Sequence, residues 1–92
     1  MPQVFKVGAL YVFFWSDEGE PLEPVHVHVA EGKPQKNATK IWITKAGKCL
    51  LCHNASRIAP KALANVIKVI EVRSNTITNK WRAHFGEIRF YC

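Results

Sequence analysis

Apolar and polar positions alternate along the first half of the chain and recur at helical spacing along the second. Val25, Val27 and Val29 interleave with His26 and His28, so one strand carries a valine face and a histidine face. Val4–Val7 and Leu10–Trp15 are rich in aromatic and β-branched residues. They flank Gly8-Ala9, which predicts a hairpin or bent strand pair. Ser16–Pro24, with two prolines, one glycine and four acids, predicts an exposed loop. Lys40–Thr44 predicts another strand, Ala46-Gly47-Lys48 a turn, and Cys49–Cys52 a short returning strand.

Beyond Cys52 the period changes. Leu63, Val66, Ile67, Ile70, Ile77 and Trp81 recur at steps of three, four or seven and form one helical stripe. Pro60 suits a first helical position, where its missing N–H costs little, although Ala59 is a poor cap. Gly86 suits a stop, and Lys80, Arg82 and His84 suit the negative pole of the helix dipole. The β-branched run Val66–Val72 competes as a strand, but the length of the pattern favours a helix. Glu87–Tyr91 alternates again. The expectation is an α+β fold: a small antiparallel sheet covered on one face by one long C-terminal helix, about residues 60–84, with a short final strand at 87–91.

Length makes this one domain, residues 1–92, with a small core. Its 48% hydrophobic content is that of a folded globule. No apolar run approaches a membrane span, and no small-residue cleavage site follows the apolar Val7–Trp15. The expected location is therefore the cytoplasm. Three cysteines, an odd count, predict no disulfide framework there.

Charge adds a direction. From Asp17 to Glu31 there are five acids and no Lys or Arg, whereas Gly32–Ile70 holds eight basic residues and no acid. Within a net charge of +6, this asymmetry suits a polyanion or an acidic protein partner. Lys33, Lys36, Lys40, Lys45, Lys48 and Arg57 are the candidate contacts; the competing reading is a solvated lysine surface. Trp42, between Lys40 and Lys45, is the candidate for stacking a single-stranded base.

His26 and His28 project from the same strand face within reach of one metal ion, zinc or another divalent cation. A third ligand would come from His84, His53, Cys49, Cys52 or Glu23. Either histidine could instead serve as a general base. The competing reading is a half-exposed face that packs or hydrogen-bonds. Cys49-Leu50-Leu51-Cys52-His53 spells the pattern of c-type haem attachment, but no haem is expected without export and an axial ligand. As a strand it would point Cys49 and Cys52 to opposite faces, which suits core packing better than metal binding. No glycine-rich phosphate loop, nucleophile elbow or paired-carboxylate motif is present.

The motifs MPQVF, YVFFWS, EPVHVHV, KIWIT, GKCLL, NASRI, KWRAHFG and EIRFYC, in this order and spacing, resemble a small bacterial family, domain of unknown function 4160. The resemblance covers nearly the whole chain. Where that family has two prolines before the histidines, this chain has Pro24-Val25, which leaves His26 and His28 in register. The resemblance implies a stand-alone cytoplasmic bacterial protein, encoded beside another small protein in a toxin–antitoxin-like arrangement; it implies no activity. Three functions stay open. The first is a binding module for an acidic protein partner, for RNA or DNA, or for both. The second is a metal-dependent hydrolase or nuclease built on His26 and His28. The third is a structural module that homodimerises through its terminal strand.

Overall fold

The computed structural model describes residues 3–16 and 22–92. Five strands precede two helices: β1 (Gln3–Val7), β2 (Leu10–Phe13), β3 (His26–Glu31), β4 (Thr39–Ile43), β5 (Cys49–His53), α1 (Pro60–Val72) and α2 (Ser74–Phe85). The strands form one antiparallel meander in sequence order, so each hydrogen-bonds to its neighbours in the chain. Most of the acidic loop expected over Ser16–Pro24, residues 17–21, lies outside the described residues.

Alternation sorts the side chains into two layers. Val12, Phe14, Val25, Val27, Val29, Ile41 and Ile43 bury against Val66, Ile70, Ile77 and Trp81 of the helices. Phe13, Ala30 and Ala38 form a second, smaller cluster with Tyr11 and Trp15. The helices thus cover one face of the sheet. The other face carries a mixture of aromatic rings, histidines and lysines.

The single long helix expected over 60–84 is two helices. Arg73, at φ −103° and ψ 21°, joins them, and its carbonyl accepts from both Thr76 N (3.0 Å) and Ile77 N (3.2 Å). The β-branched residues before the joint lose rotamer freedom in a helix. Ser74, Asn75 and Thr76 after it favour a new helix start over a helix interior. The step from Ile70 to Ile77 spans two turns in either arrangement, so the buried stripe survives the kink. Pro60 and Gly86 bound the pair as their chemistry dictates. Gly86 adopts the left-handed conformation (φ 82°) that its missing Cβ permits, and its N–H donates to the Arg82 carbonyl at 2.8 Å.

The short final strand expected at 87–91 does not form. The tail beyond Gly86 has no ladder partner: Arg89 O accepts from Val25 N (2.8 Å), and Cys92 O accepts from Lys45 N (3.0 Å). Two bonds to two separate segments tether the tail without making it a strand. Ile88 and Phe90 pack on the main core.

Candidate functional site

The face of the sheet away from the helices is built by register. Phe13 lies opposite His28, His28 opposite Lys40, and Lys40 opposite His53; His26 lies opposite Trp42. Directly opposed residues of antiparallel strands share a face, so these side chains form one surface.

The histidine pair sits inside it. His26 is fully buried and His28 is 9% exposed, with ring centroids 5.0 Å apart and nearly perpendicular. His26 Nδ1 donates to the Pro24 carbonyl at 2.9 Å. That bond places a proton on Nδ1. Trp42 (5.4 Å) and the Trp81 indole of α2 (5.2 Å) flank the same ring, so His26 also touches the helical layer. His28 packs beside Phe13 at 5.6 Å.

The structure sets the third-ligand candidates in other roles. His84 is exposed on the last turn of α2; its Nε2 donates to Ser16 O at 3.2 Å and its ring meets Phe85 at 4.7 Å. Glu23 accepts from Lys40 Nζ at 2.9 Å. His53 Nδ1 accepts from Ala55 N at 3.3 Å. Among the described residues, no group of three or more His, Cys, Asp or Glu is placed to hold a metal ion.

Cys49 and Cys52 part as a strand requires. Cys49 packs on the helical side, where its Sγ lies 3.9 Å from Ile67 O; Cys52 is exposed at the point where β5 slips register against β4. Burial, and then the Glu71 carboxylate nearby, push the Cys49 thiol up from 9.0 to about 12. A folded-state value above the unfolded one means that the neutral thiol's contribution to stability is complete below pH 9 and is lost as pH rises toward 12. At pH 8, iodoacetamide is expected to label exposed Cys52 and Cys92 in the native protein and Cys49 only after urea unfolding, as read by peptide mass spectrometry. Equal labelling of all three without urea would show that Cys49 is open to solvent.

The basic candidates do not form one patch. Lys33 and Lys36 occupy the β3–β4 loop, and Arg57 follows β5 at the same end of the sheet; Lys45 and Lys48 flank the β4–β5 turn at the opposite end. Lys40 is committed to Glu23 and lies 4.4 Å above the Trp42 ring. Arg57 stands out in backbone terms. At φ 54° it is the one described non-glycine residue with positive φ, beside a cleft of about 440 Å³ that Ser56, Ala62 and Asn65 also line. Asn54 and Ser56 hold this loop through hydrogen bonds to Thr39, Ile58, Val29 and Asn37.

Three features escape a linear reading. Tyr91 stacks on Trp42 at 5.0 Å with ring planes 8° apart, and is 60% exposed. Lys6 lies 4.7 Å over Tyr11 on the same sheet face. Arg82 joins Lys45 along a groove of about 480 Å³ with Thr44, Ser74, Asn75 and Asn79, and no acid lines it. Gly47 sits in that wall at φ 81°, a backbone conformation that favours glycine, and a Cβ there would also lie 3.0 Å from Ser74 Oγ. The tail's alternation was the only sequence signal for Tyr91; the basic last turn of the helix was the signal for Arg82.

No helix among the described residues is long and apolar enough to cross a membrane. No curated protein and no solved structure matches the chain. The family model described as domain of unknown function (DUF4160) matches residues 10–82, from the start of β2 to the residue after Trp81, and the chain belongs to that family.

Proposed function

We propose that the protein is the nucleic-acid-binding member of a toxin–antitoxin-like pair, and that the helix-free sheet face takes single-stranded RNA or DNA. The observation that supports this is the Trp42–Tyr91 stack, with Lys40 over Trp42 and the outer face of Tyr91 open. Bases stack on such rings whatever their sequence, while neighbouring cations meet the phosphates. Lys45 and Arg82 in the acid-free groove lie at the β4–β5 end of the sheet, close to the tail that carries Tyr91. The net charge of +6 suits the same ligand.

Fluorescence titration with single-stranded homopolymers tests the reading. Affinity is expected to fall steeply with salt. Tyr91→Ala or Trp42→Ala is expected to weaken binding about 10–100-fold, from the ~1–3 kcal/mol that each base–ring stack contributes. Lys45→Ala should weaken binding evenly across sequences and lower the salt slope by about one. No binding to any single strand at low salt would sink the proposal. The hydrolase reading has less support, because His26 and His28 are buried among rings and His26 Nδ1 is bonded to Pro24.

A further inference from the structure

Helix α2 buries one face and turns another to a groove. Ile77 and Trp81, one turn apart, go into the core. Beside them on the helix surface, Ser74, Thr78 and Arg82 form one row at steps of four, and Asn75 and Asn79 form the next. Both rows line the groove of about 480 Å³ whose other wall is the β4–β5 turn with Lys45. From Ser74 to Arg82 the helix rises about 12 Å, room for two or more phosphates of a stacked strand at ~3.4 Å each.

The chemistry of these rows differs from that of an ordinary solvated helix face. Such a face mixes acids with bases at i, i+4 spacing, whereas α2 contains no acid at any position. Among the described residues, Lys45 and Arg82 have no ion pair, and the side chains of Ser74, Asn75 and Asn79 have no hydrogen bond. Thr78 donates to Asn75 O at 3.2 Å, which leaves its hydroxyl oxygen able to accept. Neutral groups able to donate or accept thus outnumber the cations beside them. The groove also adjoins the ring stack: Phe90 lines it, Tyr91 is the next residue, and Cys92 O accepts from Lys45 N at 3.0 Å.

We infer that this groove reads the ribose of the bound strand, so that the ligand is RNA and not DNA; this rests on the single-strand reading above. The Trp42–Tyr91 stack and the cations do not separate the two nucleic acids, because every base has a π face and both backbones carry the same charge. The uncharged rows of α2 do. Hydroxyl and amide side chains match a neutral group that both donates and accepts, and in a nucleic-acid backbone the ribose 2′-hydroxyl is that group. A deoxyribose backbone offers acceptors only, and leaves the hydroxyl oxygen of Ser74 and the amide carbonyls of Asn75 and Asn79 to water. A base stacked on Tyr91 brings its own sugar and phosphate to the adjoining groove. There Lys45 and Arg82 meet the phosphates and the α2 rows meet the sugars.

The test uses the full chain and three fluorescently labelled strands of one sequence and length: oligouridylate, oligodeoxyuridylate and 2′-O-methyl oligouridylate. Anisotropy at one fixed salt concentration gives each Kd. The RNA is expected to bind roughly five-fold or more tightly than the DNA, the effect of one net hydrogen bond. The 2′-O-methyl strand keeps the sugar pucker of RNA and loses the donated proton, so it should bind like the DNA. Ser74→Ala/Asn79→Ala is expected to lower RNA affinity to the DNA level and to leave DNA affinity unchanged, with folding checked by circular dichroism. Tyr91→Ala should weaken both strands by the same factor and keep their ratio. Equal binding of RNA and DNA, tight binding of the 2′-O-methyl strand, or a preference that survives in the folded double variant overturns the ribose reading and leaves the single-strand reading standing. Failure of all three strands to bind at low salt overturns both.

Discussion

Trp81→Ala is expected to remove about 3–5 kcal/mol of stability, the usual cost of truncating a buried aromatic side chain. Trp81 is among the largest fully buried side chains. Its indole packs 4.5 Å from the Phe85 ring, 5.0 Å from Phe14 and 5.2 Å from His26, so it joins α2 to β3 and to the residue that follows β2. Small domains have only about 5–15 kcal/mol in total, so the variant should sit near its unfolding midpoint at modest urea. The buried Nε1 has no hydrogen-bond partner, so almost the whole loss is packing. Trp81→Phe therefore serves as the control. It removes an unsatisfied donor and keeps most of the ring, and should cost less than half as much as the alanine variant. Urea titration at 25 °C gives both midpoints. A loss below about 1 kcal/mol for Trp81→Ala would show that the ring is not central to the core. Equal losses for the two variants would show that the indole N–H is bonded.

Asn54→Ala is expected to cost about 2–3 kcal/mol, more than a single hydrogen bond, because it strands buried groups. Asn54 Oδ1 accepts from Thr39 Oγ1 at 2.6 Å and from Ile58 N at 3.0 Å; Nδ2 donates to Ile58 O at 2.9 Å. Thr39 is fully buried, and its hydroxyl has no other acceptor in this network. Ser56 completes the lock: its Oγ bonds Val29 O and Asn37 O and accepts from Thr39 N at 3.1 Å. This lock holds Arg57 at positive φ, a backbone state that costs of order 1–3 kcal/mol unless the surroundings enforce it. Asn54→Asp keeps the acceptors and loses the donor, so its cost should be roughly half. A double-mutant cycle with Thr39→Val checks the network, since the paired loss should fall short of the sum by more than about 0.5 kcal/mol. Strict additivity would mean that the Thr39–Asn54 bond contributes nothing.

Both predictions rest on contacts between residues far apart in the chain, and that is where reading the sequence stopped. The valine and histidine faces of β3 were legible because a strand's period of two is local. Pro60 and Gly86 marked helix ends because a missing N–H and a missing Cβ act at their own positions. The NASRI motif was visible as a string, but its role was not: Asn54 and Ser56 act through Thr39, on another strand. The six basic candidates fell within one acid-free stretch of sequence, yet a meander sends successive turns to opposite ends of its sheet, so Lys33 and Lys36 part from Lys45 and Lys48.

The sequence by itself determined the α+β class, the strands and their faces, the ends of the helical segment, and the separation of Cys49 from Cys52. Each follows from short-range periodicity or from the covalent limits of one residue. Only the tertiary structure decided that the helix breaks at Arg73, that the tail docks on the domain without forming a strand, and that Tyr91 covers Trp42. It also decided that Lys40 answers to Glu23. Those outcomes depend on which surfaces meet once the sheet twists and the helices settle on one face, and main-chain and ring partners then come from distant positions in the chain.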